Sequence, residues 1–99
     1  MHVRPKKESM DELFLAILSL ESLEECRAFF EDLCTRNELM AMHQRIIVAR
    51  MLKKGKIYSS IVEATGASTA TISRVNRCFT YGAGGYRTVL DRLEEEGSR

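Results

Sequence analysis

The sequence predicts an all-α fold built around a helix-turn-helix, and three observations predict it. Proline occurs once, at Pro5, and no stretch alternates apolar and polar residues as a half-buried strand would. Three Ser/Thr residues are followed three positions later by glutamate: Ser9 with Glu12, Ser22 with Glu25, and Thr35 with Glu38. That spacing is the capping box, in which hydroxyl and carboxylate each satisfy an orphan N–H at a helix start. Finally, Gly66 stands between two short helix-like runs and is followed by Ser68 and Thr69, both good caps for a second helix.

Taken in order, residues 1–9 read as a flexible polar leader. Residues 10–96 read as a single helical domain, in keeping with a 99-residue chain too short for two cores. The capping boxes predict helices over 10–19, 23–33 and 36–54, the third ending at Gly55 after Lys53 and Lys54, whose charges suit a helix C-terminus. The helix-turn-helix spans about 57–79. A last helix covers about 86–96, beyond the Gly82-Ala83-Gly84-Gly85 connection. That connection is no phosphate loop, because no strand precedes it and no lysine follows in the required place.

Met10, Leu13, Phe14, Leu15, Ala16, Ile17, Leu18 and Leu20 surround the first helix on nearly every side. Such a helix must be covered on two faces. In so small a chain the second cover is most easily a second copy. Leu23, Cys26, Phe29, Phe30 and Leu33 extend the apolar surface, and the N-terminal half is read as a dimerisation layer.

Composition narrows the function. The chain is 44% apolar and 29% charged, the balance of a soluble globular protein. Its longest apolar run, Leu13 to Leu18, cannot span a bilayer, and no secretion signal opens the chain, so a cytoplasmic location is expected. Cys26, Cys34 and Cys78 form no Cys-x-x-Cys pair and read as buried thiols in a reducing compartment. His2 and His43 are far apart, no cluster has metal-ligand spacing, and no nucleophile–base pair stands out. Neither an enzyme nor a metal site is expected.

Charge distribution says more than the net charge of +1. Residues 43–77 carry Arg45, Arg50, Lys53, Lys54, Lys56, Arg74 and Arg77 against a single acid, Glu63. The basic charge therefore coincides with the helix-turn-helix, as a phosphate-binding surface requires. At about 100° per residue, Ile72, Val75 and Phe79 share one face of the second motif helix and can meet Ile61 as its small core. The opposite face presents Ala70, Ser73, Arg74 and Arg77, with Thr69 at the N-terminus, Thr71 and Asn76 on the flanks, and Ser68 as cap. Ser and Thr bond bases or phosphates, and arginine grips guanine or a phosphate; the sequence leaves both open for Arg74 and Arg77. Lys53, Lys54 and Lys56 are expected to contact phosphates. Double-stranded DNA is thus the expected partner, bound by a homodimer acting as a transcriptional regulator. The alternatives are a protein-interaction module that reuses the fold and a ligand-gated repressor with an amino-acid-like corepressor.

The run from Leu33 to Arg45 (LCTRNELMAMHQR) and the run from Gly66 to Arg74 (GASTATISR) resemble the Trp repressor family, and within it the YerC/YecD-like group. The resemblance extends over roughly residues 10–95. It implies an intertwined helical dimer whose two heads read a palindromic operator, with half-sites about one helical turn apart. It also implies a corepressor site at Arg45 and Arg74 with Thr35 nearby, and a DNA contact at Ser59, where the family carries arginine. Val75 replaces the glycine against which the family's tryptophan packs, and Cys78 replaces a serine. A valine there takes up the space glycine leaves, so no tryptophan corepressor and no other cofactor is expected, though an unidentified small effector is left open.

Overall fold

A computed structural model describes residues 10–97, and among them every regular element is helical. Two compact units divide the chain, Met1–Arg36 and Asn37–Arg99. The division falls inside the span read as one domain. The leader 1–9 lies outside the described residues.

The first unit holds α1 (Asp11–Leu18) and α2 (Leu23–Leu33). The expected Ser9 cap of α1 lies outside the described residues. Met10 occupies the N-cap without a side-chain bond, its carbonyl accepting from the Leu13 and Phe14 N–H groups. The α2 box does form. Ser22 Oγ accepts from Glu25 N–H at 3.1 Å, and the Glu25 carboxylate accepts from Glu21 N–H at 2.9 Å, one residue earlier than the simplest box would have it. Neither helix buries a residue within the chain. Phe14, Leu15 and Leu18 are 52, 64 and 78% exposed.

The second unit contains α3 (Arg36–Lys53, apart from its first residue), α4 (Tyr58–Thr65), α5 (Thr69–Tyr81) and α6 (Gly85–Gly97). The end of α3 is a Schellman motif: Gly55 N–H bonds Leu52 O at 2.9 Å and Lys56 N–H bonds Met51 O at 3.0 Å, with Gly55 at φ 77°. Only glycine takes that left-handed conformation without strain. The core gathers Val48 and Ala49 of α3, Ile61 of α4, Ala67 of the turn, Ile72, Val75 and Phe79 of α5, and Leu90 of α6. Val62, larger than the alanine usual at its place, packs half-buried against this cluster. Two contacts tie α6 down. Arg87 stacks its guanidinium over the Phe79 ring at 4.2 Å, and the Lys53 ammonium meets Asp91 at 3.2 Å and Glu94 at 2.9 Å.

The cysteines depart from expectation. Cys26 and Cys34 are half-buried and Cys78 is exposed. Cys78 precedes the buried Phe79 by one position, which turns its side chain about 100° away from the face that packs.

Candidate nucleic-acid interface

The interface is set by a turn. Gly66 closes α4 in the left-handed conformation (φ 72°, ψ 5°), its N–H bonding Val62 O at 2.8 Å. Thr65 braces the same corner, donating to Ile61 O at 2.7 Å and accepting from Ala67 N–H at 3.1 Å. Ala67 points inward and is 2% exposed, so the two helices approach across a single methyl group. Ser68 then caps α5 by accepting from Thr71 N–H at 3.1 Å, and its hydroxyl also meets the Thr71 hydroxyl at 3.1 Å. From across the unit, Gln44 of α3 donates to Thr65 O at 3.2 Å.

This corner aims α5. Ile72 and Val75 are 0 and 1% exposed and Phe79 is 9% exposed, joined by Ile61 of α4 as the spacing predicts. Thr69, Ala70, Ser73, Arg74 and Arg77 stand exposed on the far side, as do Ser59 and Ser68 near the turn and Lys54 and Lys56 in the segment before α4. Three predicted contact residues are committed inside the protein. Thr71 is half-buried and shares the cap. Asn76 is half-buried, its Nδ2 donating to Tyr58 Oη at 3.3 Å and its Oδ1 accepting from Thr80 Oγ1 at 3.5 Å. Lys53 lies between Asp91 and Glu94, whose hydrogen bonds raise its pKa above the ordinary 10.5, Glu94 contributing most. Of the three lysines, Lys54 and Lys56 remain solvent-facing.

Arg45 and Arg74 do come together, lining a cleft of about 120 Å³ with Ala41, Gln44, Thr71 and Val75. Small-molecule sites usually occupy about 300–1,000 Å³. Val75 is at once part of the cleft wall and part of the core. Thr35 is exposed in the first unit, directly before α3. A larger apolar groove of about 430 Å³, which the sequence did not suggest, is lined by Ile46, Cys78, Ala83, Tyr86, Val89 and Leu90. Among the described residues no group of three His, Cys, Asp or Glu side chains is placed to hold a metal ion.

Tyr58 and Gln44 are the residues that reading the chain missed. Their partners lie 18 and 21 positions away, beyond the reach of any local spacing rule.

The arrangement has known counterparts. The family model for the Trp repressor protein matches residues 8–94. The uncharacterized protein YerC of Bacillus subtilis is 56% identical over 88 residues, covering 89% of this chain and 85% of that protein. The crystal structure of a TrpR like protein from Eubacterium eligens superposes with a TM-score of 0.85 at 53% identity, covering 90% of this chain and 92% of that one. A second crystal structure, from Staphylococcus aureus, gives a TM-score of 0.83 at 53% identity over 86% of this chain and 85% of that one.

Proposed function

Since the chain belongs to the Trp repressor family, we propose that it is a DNA-binding transcriptional regulator, a repressor that reads operator DNA as a homodimer through α4 and α5. The observation that carries this reading is the two-sided character of α5. One side is spent on the core, and the other offers exposed small hydroxyl-bearing and basic side chains. Small residues toward the helix N-terminus let its backbone approach a groove closely, and Arg74 and Arg77 supply charge for bases or phosphates. Lys54 and Lys56 flank the head as phosphate contacts.

The homodimer is supported by the first unit, none of whose helical apolar side chains is fully buried within one chain. A two-fold pair sets its two reading helices on half-sites about 34 Å apart, one turn of B-DNA. No described helix is long and apolar enough to cross a membrane, and we place the regulator in the cytoplasm with its DNA. The family is one of regulators, and the reading assigns this chain no catalytic step.

Tryptophan has no part in the proposal, and neither does any other cofactor. The narrow cleft at Arg45 and Arg74 and the buried Val75 support that exclusion. Thermal unfolding with tryptophan, other amino acids and indoles should give unchanged midpoints, and a dose-dependent rise with any of them would restore a ligand-gated head.

DNA binding is tested by selecting genomic duplex fragments and titrating the enriched one against salt. Affinity should fall steeply as salt rises. Arg74→Ala and Arg77→Ala should each weaken it by about tenfold or more where the arginine reads a base, or lower the salt slope by about one where it holds a phosphate. Duplex binding that is absent or indifferent to salt would sink the reading.

A further inference from the structure

We infer that Tyr58 and Asn76 form a latch across the open end of the helix-turn-helix, so that Asn76 serves sequence reading by holding α5 at its angle to α4 and not by touching the duplex. This rests on the DNA-binding reading above.

The two ends of the motif are secured differently. At the closed end, Gly66, the Thr65 side chain and the Ser68 cap fix the backbone through short hydrogen bonds. Tyr58 is the first residue of α4 and lies at the opposite end from that corner. An eight-residue helix is about 12 Å long, so a swing of about 10° at the corner moves its far end by about 2 Å, well beyond the ~0.5 Å tolerance of a reading constellation. Ile61, Ile72 and Val75 hold the two helices through the core, and the Tyr58 ring packs against the same cluster. The Asn76 Nδ2 to Tyr58 Oη bond, at 3.3 Å, is the polar tie that joins the first residue of α4 to the middle of α5.

The amide chemistry supports the same assignment. Asparagine reads adenine by offering its oxygen and its nitrogen together to one base edge. Here Oδ1 accepts from Thr80 and Nδ2 donates to Tyr58, so the orientation of the amide is set within the protein, with one N–H and one lone pair left over. Turning the amide end for end preserves both contacts, because each partner is a hydroxyl that can donate or accept. Half-burial of both Tyr58 and Asn76 keeps the tie partly shielded from competing water. Asn76 is accordingly a positioning residue, and Tyr58 belongs to the reading head although it carries no charge.

The test compares the wild type with Tyr58→Phe, which removes one oxygen and leaves the ring packed against the core. Asn76→Ala and the double variant complete the cycle. The readouts are the ratio of affinities for the selected duplex and a scrambled duplex, the affinities for singly substituted versions of the selected duplex, and the salt slope of each. Tyr58→Phe should lower the ratio about threefold to tenfold, the worth of one partly buried hydrogen bond, with the salt slope unchanged. Asn76→Ala should do the same, and the double variant should be no worse than either single one, since all three lose the same contact. A Tyr58→Phe ratio equal to the wild type overturns the latch. So does a slope lower by about one, the sign of a lost phosphate contact, or an Asn76→Ala loss confined to a single operator position. If the wild type binds no duplex, the DNA-binding reading falls and the latch's role in reading falls with it; the other three outcomes refute the latch alone.

Discussion

The two units use the same local device and reach opposite ends. In each, a serine hydroxyl 3.1 Å from a backbone N–H three residues on starts a helix: Ser22 for α2 and Ser68 for α5. The helix that Ser68 starts buries Ile72, Val75 and Phe79, whereas the helix that Ser22 starts buries nothing. Capping settles where a helix begins, but only a complementary apolar surface gives it tertiary stability. The second unit supplies that surface from its own residues. The first unit carries equally apolar side chains and leaves them exposed or half-buried, which is why a second copy enters the functional reading.

Substitutions can break this contrast, and the largest effect is expected at the self-contained core. Ile72→Ala should cost about 2–5 kcal/mol in denaturant unfolding, because a fully buried branched side chain is lost and a cavity remains. A cost near zero would mean the second unit has no fixed core. Phe14→Glu comes next. It should leave the second unit folded yet weaken the proposed dimer by about 1.5–3 kcal/mol, because Phe14 is 52% exposed in the chain and leaves about half a ring per subunit for a partner to cover. Sedimentation equilibrium reads it directly, and a variant that dimerises like the wild type would show that α1 is not covered by a second copy. The two caps give a smaller, matched pair. Ser68→Ala should lower global stability by about 1 kcal/mol, while Ser22→Ala should appear chiefly as faster amide exchange within α2. Equal effects on global unfolding would merge the two units into one cooperative block. Lys53→Met should have the smallest effect. A lysine whose pKa is raised in the folded state contributes its stability at pH values below 10.5 and loses it as pH rises through the raised value. Thermal midpoints of wild type and Lys53→Met should therefore differ slightly at neutral pH and converge at strongly alkaline pH; a gap that widens with pH would show another group at work.

Much of this molecule could be read along the chain because its devices are local. The helix bounds, the Gly66 turn, the Ser68 cap and the Ile72–Val75–Phe79 face all follow from spacings of three or four residues. Lys53 shows where such reading fails. Its charge is visible in the sequence, but its neutralisation by Asp91 and Glu94 joins residues 38 and 41 positions apart through the packing of α6. The same holds for Asn76, whose flank position was legible and whose Tyr58 partner was not. The Arg45 and Arg74 pairing became legible only through likeness to a family, since the two residues sit on different helices with no common period.

Consider finally the exposed side of α5. Thr69, Ala70, Ser73 and Arg77 are exposed and lie outside the buried core, so on the proposed reading folding and recognition are written in separate letters of the same thirteen-residue helix. A library randomised at those four positions should stay folded in nearly every member, since surface substitutions usually shift stability by no more than about 0.5 kcal/mol. If α5 reads DNA as proposed, such a head can drift to new targets through single substitutions without passing through unfolded intermediates, and the same separation makes it a scaffold whose preference can be redesigned one position at a time.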